Sequence, residues 1–599
     1  MPDSPIQSLP DRLRRRFAEA PPSLAQIFEA GEQLAALDPA GLPSQRIAVL
    51  GALTTDFIAR AVAVGVALEG VVAQIYQAPF GAIVQEVLDP SSGVHGFDPE
   101  LVVLAPDWRD VVEVLPPDAG QDAAEAAVAA QVGLFTHLWD RLADGGRRRI
   151  IQHTLPGPEA RYCGIAERLM PGSAVNQVRR LNELLLQAGR GRVTWVDMEA
   201  LAGRIGSERF APNRFYHNAR LPFEGRYLTA YLPAFRGAWR LAQGQAKKVL
   251  VLDLDNTLWG GVIGDDGVDG LRLGSGSPAG EAFAEWQGYA KALAARGVVL
   301  AVCSKNDPAI AETGFSHPGS VLARADFAAF ECGWGDKAEA IRRIAAQLNL
   351  GLLSFVFCDD NPAECALVRE SLPEVAVVHM GEDPTAFIAR LDAGHWFDFA
   401  QYTAEDTQRG AMYAARAGAL AEAAAATDIG AYLSGLKMVG RVFRPAEEDM
   451  ARVAQLEMKT NQFNLTTRRH SEAALRGFMA RGDAVVLAFR LADRFGDHGL
   501  VSTLIALQEG DALRIDSWLM SCRVFSRSAE PFILRALLAI AAERGAVRLI
   551  GEYLPTARNG VVAELYARLG FTPAGEGRWE RPVGPPDLAG LDTAIRAVE

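Results

Sequence analysis

Two aspartates two residues apart, Asp253 and Asp255 in Val249-Leu-Val-Leu-Asp-Leu-Asp-Asn-Thr257, close a short apolar run. Two more polar clusters close runs of the same kind. Ser304-Lys-Asn-Asp307 follows Val298–Cys303, and Asp359-Asp-Asn-Pro362 follows Phe355–Cys358. Lys337 opens the helical stretch before the third run. Phosphoryl transfer needs a nucleophile, a cation to neutralise phosphate oxygens and a proton donor for the leaving group. Asp253 can supply the nucleophile and Asp255 the acid/base. Asp253, Asp255, Asp359 and Asp360 are candidate ligands for Mg2+, a hard cation that prefers carboxylates and water. Thr257, Ser304, Lys305, Asn306 and Lys337 are the candidate groups for holding a phosphorylated substrate. Each is an ordinary loop residue alone; their order, each set after its own apolar run, carries the reading.

Such runs are expected of parallel strands covered on both faces, and open α/β sheets place ligands at the carboxyl ends of their strands. Helical stretches near 281–295 and 337–349 separate these strands. Ahead of them, Arg46–Gly51, Leu101–Pro106, Arg149–His153 and Val193–Asp197 read as strands, and 120–143 and 176–188 as helices, which predicts a second parallel sheet. Beyond 436 the pattern changes to strands around a helix near 529–544, with a last helix near 560–569. The expected fold class is multidomain α/β. Its parts are a helical segment 1–44, a domain 45–242, a core 246–400, an alanine-rich helical linker 401–435 and an α+β domain 436–585.

A chain of 599 residues exceeds one core. Its net charge of −13 gives no basic footprint for nucleic acid. No stretch is apolar enough for a membrane span, and Met1–Pro10 has no signal-peptide pattern. The six cysteines lack C-x-x-C spacing, so neither a zinc site nor a disulfide framework is expected, and a cytoplasmic setting is.

The four motifs resemble those of the haloacid dehalogenase superfamily. Val249–Gly267, Cys303-Ser-Lys-Asn-Asp307 and Phe355–Pro362 look like the FkbH-like proteins of polyketide pathways. The resemblance implies a Mg2+-dependent phosphatase fold that takes 1,3-bisphosphoglycerate or a related small phosphate through an aspartyl-phosphate, and helps load the glyceryl unit onto an acyl carrier protein. Independently of the family, the spacings from Asp253 to Ser304 and from Ser304 to Asp359 hold no large cap domain, so the site should admit a macromolecular partner.

Gly551–Asn559 and Leu565–Phe571 resemble the end of a GNAT acyltransferase fold, and Lys459–Thr467 and Asp493–Asp497 are similar to FkbH-like chains. A loop opening a helix can offer N–H groups to the phosphate of a phosphopantetheine arm. Here that loop reads Arg523-Val-Phe-Ser-Arg-Ser528 where the fold usually carries glycines, and serine restricts the backbone. A domain that only scaffolds or docks a partner is the alternative. Arg523 is a candidate substrate-binding residue. A glyceryl thioester needs a reactive thiol. Cys332, in a glycine-bearing loop before Lys337, ranks first, and Cys522 beside Arg523 second.

Residues 45–240 resemble an SGNH-hydrolase-like domain. No serine follows Gly51, Arg214 stands where an aspartate should precede His217, and His153 has no evident partner, so a non-hydrolytic domain is expected. Two other readings remain open: a phosphatase for another small phosphate ester with a separate acyltransferase activity, or a partner-docking scaffold with a degenerate site.

Overall fold

A computed structural model describes residues 8–18, 20–113, 115–116, 118–158, 163–399, 433–460, 463–494, 496–521, 524, 527–556, 559–584 and 591–598. The chain divides into two compact units, Met1–Gln243 with Ala393–Ala400, and Gly244–Asp392 with Gln401–Glu599. The linker expected at 401–435 falls almost wholly outside the described residues. Among the described residues no helix is long and apolar enough to cross a membrane.

The first unit holds a parallel sheet of β1 (Ser44–Gly51), β2 (Val72–Gln77), β3 (Leu101–Ala105), β4 (Arg149–His153) and β5 (Thr194–Val196), in the order β2-β1-β3-β4-β5. Successive side chains of a strand face opposite sides. Ile47 and Val49 therefore enter one core, with the helices Asp56–Ala67 and Leu228–Ala242. Ala48 and Leu50 enter the other, with Gln121–Ala143 and Ala174–Ala188. Segment 1–44, which the sequence sets apart, supplies Leu13, Ile27 and Leu34 to the first of these cores.

In the second unit β6 (Val249–Leu252), β7 (Val299–Ser304), β8 (Phe327–Cys332), β9 (Phe355–Asp359) and β10 (Ala376–His379) form a parallel sheet ordered β10-β9-β6-β7-β8. All four side chains of β6 are buried, as a central strand between two helical layers requires. Between β6 and β7 lie only the helices Ile263–Gly270 and Pro278–Ala295. Strand ends pass quickly into helices. Asp307 and Asn361 cap Pro308–Thr313 and Pro362–Ser371, each helix opening on proline, whose missing N–H costs nothing there.

A third sheet follows: β11 (Val439–Phe443), β12 (Ala484–Asp493), β13 (Gly496–Glu509), β14 (Ala512–Met520), β15 (Arg548–Glu552), β16 (Thr572–Pro573), β17 (Arg578–Pro582) and β18 (Arg596–Ala597). Its order is β16-β17-β15-β14-β13-β12-β11-β18, mostly antiparallel, with β14 and β15 parallel over only three residue pairs. This is the α+β domain expected beyond 436, packed on the helix Ala529–Glu543.

One buried side chain braces the loop after β6. Gln287, with no exposed surface, donates to Leu258 O (3.0 Å) and accepts from the N–H groups of Val321 (2.9 Å) and Leu322 (3.0 Å). Gln287→Met keeps the volume and strands all three groups, so it should destabilise this unit by about 2–4 kcal/mol, read as a lower thermal midpoint.

Candidate active site

The order of the second sheet reverses at β6, and β6 and β9 are neighbours there. Asp253, directly after β6, donates its N–H to Cys358 O (3.0 Å), which sets it beside Asp359 at the end of β9. A crevice at such a switch point is where an open α/β sheet holds its ligand. Lys337, the first residue of the helix Lys337–Leu348, reaches between the two carboxylates. Its Nζ lies 2.9 Å from Asp253 Oδ1 and 2.6 Å from Asp359 Oδ2, and all three side chains are buried.

Asp253, Asp359 and Asp360 each present a carboxylate oxygen within 4.8 Å of the others. Burial first, and then the nearby Asp359 carboxylate, push Asp253 up to about 6, against the pull of Lys337. Burial also raises Asp359 and Asp360, the latter further by Asp253. Burial works against the charged form of Lys337, but Asp253 and Asp359 together hold it above the usual ammonium range. Asp253 Oδ1 is buried and has no aligned hydrogen bond despite the nearby ammonium. Three crowded carboxylates with one oxygen short of a donor fit a divalent oxygen-loving cation.

Asp255 does not join this group. Its Oδ1 accepts from Trp259 Nε1 (3.0 Å) and Ile263 N (3.0 Å), and its Oδ2 from Asn306 Nδ2 (2.9 Å). The Asp255 side chain, expected among the metal ligands, stands outside the Asp253–Asp359–Asp360 group, and Oδ2 keeps room for a further partner. Asn306 also donates to Ser304 Oγ (3.2 Å), and the Ser304 hydroxyl reaches Asp253. The turn holding Asp255 depends on Asn256, at φ +53, whose side chain accepts from Gly261 N (3.0 Å). Asparagine tolerates this left-handed conformation better than most residues.

Two expected substrate groups are already engaged. Thr257, fully buried, donates to Asp360 Oδ1 and accepts from Asp360 N, both at 3.0 Å, so it orients a carboxylate. Lys305 Nζ lies 2.5 Å from Glu364 Oε1.

Cys332 ends β8, where a loop was expected, beside Ser304 in the pairing register. Burial, followed by Asp253, pushes its thiol up to about 12. Lys337 does not activate it, because that ammonium is bound by two carboxylates. Cys303 and Cys358 are buried and also raised, chiefly by burial. Cys522 and Arg523 lie outside the described residues. Ser528 is described and sits at φ +55, a conformation that favours glycine.

Where β14 and β15 diverge, the chain's own segment enters. Met520 N–H donates to Phe463 O (3.3 Å), Leu554 N–H to Leu465 O (2.8 Å), Asn559 Nδ2 to Asn464 O (2.9 Å), and Thr466 Oγ1 to Asp516 O (2.8 Å). An extended amide-bearing arm pairing along this opening would find those groups taken.

In the first unit, His153 is a core histidine. Its Nε2 lies 3.1 Å from Tyr231 Oη, and burial pushes it down to about 3. This supplies the partner that the sequence does not show.

Sequence reading missed Trp259, Asn256 and Glu364. A buried tryptophan has an N–H that needs an acceptor, which is the one signal that pointed from Trp259 toward Asp255.

The folds define a multidomain α/β protein whose central parallel sheet carries an acidic cluster at its switch point. The profile described as "FkbH, N-terminal domain" matches residues 46–231. The crystal structure of the N-terminal part of the protein BF1531 from Bacteroides fragilis, containing a phosphatase domain complexed with Mg, is 28% identical with a TM-score of 0.58. That match covers 64% of this chain and 100% of that one. Residues 46–231 are thus similar to the FkbH N-terminal domain, and the chain resembles a phosphatase-domain protein over 64% of its length. The ribosomal-protein-S18-alanine N-acetyltransferase of Escherichia coli also matches, at 15% identity, TM-score 0.20, over 25% of this chain and 96% of that chain. The GNAT domain of S. lividans PAT matches at 17% identity, TM-score 0.20, over 24% and 89%. No curated protein matches the chain.

The raised Asp253 has a consequence for stability. With chelator present, the folded chain keeps a proton that the unfolded chain, with its aspartate near 3.8, has lost. Stability attributable to Asp253 therefore falls as pH rises from near 3.8 to about 6. Thermal midpoints across that window should fall less steeply in Asp253→Asn than in the wild type, the remaining slope coming from the raised Asp359 and Asp360. Magnesium at neutral pH should raise the wild-type midpoint more than that of the variant.

Proposed function

We propose that the chain dephosphorylates a small acyl phosphate of the 1,3-bisphosphoglycerate type and passes the acyl unit to a carrier-protein thiol. The reading rests on one observation: Asp253 is held by Lys337 beside Asp359 and Asp360 at the switch point of its sheet. The carrier thiol attacks the acyl carbon, the bond from that carbon to the phosphate oxygen breaks, and phosphate leaves with the thiol proton as the thioester forms. Asp253 Oδ attacks the phosphorus of the remaining phosphate ester, whose P–O bond breaks to give an alcohol and an aspartyl-phosphate that water then hydrolyses. Asp255, fixed by Trp259 and Asn306, holds or delivers the proton at the leaving oxygen. Ser304 and Lys337 bind the transferred phosphoryl oxygens. Asp253, Asp359 and Asp360 would hold magnesium, whose chemistry is to neutralise charge on those oxygens.

The two helices between β6 and β7 leave the site without a large cap, which supports a macromolecular acceptor. The filled opening between β14 and β15 favours a docking role for the GNAT-like domain over a second acyl-transfer centre.

Intact-mass analysis with magnesium, 1,3-bisphosphoglycerate and holo carrier protein tests this. A glyceryl adduct on the carrier that is lost in Asp253→Asn, with at least about a hundredfold slower phosphate release, is expected. Phosphate release without an adduct would leave a simple phosphatase, and wild-type behaviour of Asp253→Asn would leave a scaffold.

Lys337→Met removes the ammonium from two buried carboxylates. It should lower phosphate release at least about a hundredfold and weaken the fold by about 3–5 kcal/mol, read in chelator by thermal or urea unfolding.

A further inference from the structure

The first sheet has a switch point of its own, between β1 and β3, and the crevice there is a cavity of about 360 Å³. Ala52 and Leu53 leave β1, Pro106 leaves β3, and Phe135 and Leu138 of the helix Gln121–Ala143 close the back. The walls are apolar, and Phe80 (61% exposed) and Val84 (37%) stand open to solvent at the lining. Concave apolar sites with a few polar groups are the usual form of small-molecule pockets, and this volume is at their small end.

The polar lining includes Asp110, Tyr216 and Arg220. Arg220 is fixed from behind: Thr54 donates its N–H to Arg220 O (2.9 Å) and its hydroxyl to Ala219 O (2.8 Å). The Arg220 guanidinium lies over the Tyr216 ring, 4.5 Å from its centroid. Arg109 also lies over that ring, at 4.0 Å, but it is neutralised by Asp107 at 3.2 Å. Among the described residues no carboxylate lies within ion-pair distance of Arg220, and no cation within that distance of Asp110. Burial, followed by Asp107, raises the Asp110 carboxyl, while Arg109 and Arg220 pull it down. Asp110 and Arg220 are thus near neighbours that do not pair.

We propose that this cavity binds a small zwitterion with an apolar side chain, of the α-amino-acid class. The carboxylate meets Arg220, the ammonium meets Asp110, and the side chain enters between Leu53 and Phe135. Both charged groups stand exposed at the mouth of the cavity, so a bare acid would engage Arg220 alone and a bare amine Asp110 alone. No nucleophile lines the cavity at the end of β1, where Gly51-Ala52-Leu53 stands, so the role is binding.

Titration calorimetry of the full chain tests it with L-phenylalanine, 3-phenylpropionate and 2-phenylethylamine. L-Phenylalanine should bind at least about tenfold more tightly than either analogue. Arg220→Gln should abolish its advantage over the amine, and Asp110→Asn its advantage over the acid. Val84→Trp, at an exposed position, should block binding without lowering the thermal midpoint. No heat with L-phenylalanine, equal affinity for all three ligands, or undiminished binding by folded Val84→Trp would each overturn the proposal. Asp253→Asn should bind L-phenylalanine as the wild type does, whatever becomes of phosphate release.

Discussion

One ammonium between two buried carboxylates organises the central domain. Lys337 is among the most costly residues to bury, and its burial is tolerable only because Asp253 and Asp359 both reach it. Each carboxylate in turn would be still more expensive without the ammonium. Removing one member of such a group typically costs about 3–5 kcal/mol, since a charge is left without an answer. The single positive charge cannot balance three carboxylates, and burial first, with their mutual repulsion behind it, raises Asp253, Asp359 and Asp360. A divalent cation would offset that deficit.

The two parallel sheets share a design with different outcomes. In both, a central strand is followed in sequence by neighbours on either side, so the loops at its carboxyl end part and leave a crevice. The second sheet fills that crevice with carboxylates and a lysine. The first lines it with Leu53, Phe135 and Leu138 and leaves charge only at Asp110 and Arg220. Topology supplies the place, and the residues just past the strand ends decide between chemistry and recognition.

What the sequence made legible follows from burial. β6, β7 and β9 are continuous apolar runs because both faces are covered, and their polar ends stood out for that reason. β2, β8 and β10 escaped notice, and all three are edge strands. Gln74, Tyr76 and Gln77 in β2, and His379 in β10, face partly outward, so no unbroken apolar run marks them. The site was legible as a set of residue types but not as a set of contacts. Nothing in the spacing distinguishes Asp360, which joins the carboxylate group, from Asp255, which three donors claim. Only the folded position of Trp259 and Asn306 separates them.

The same reasoning governs the thiol. Burial at the strand end beside Ser304 makes Cys332 a poor thiolate, and the nearby Asp253 charge adds to it. Carboxylates that assemble a cation site raise the cost of any further negative charge nearby, so a nucleophilic sulfur and an unfilled acidic cluster oppose each other. A cation held by Asp253, Asp359 and Asp360 would offset the carboxylate charge felt at Cys332 and leave the effect of burial in place.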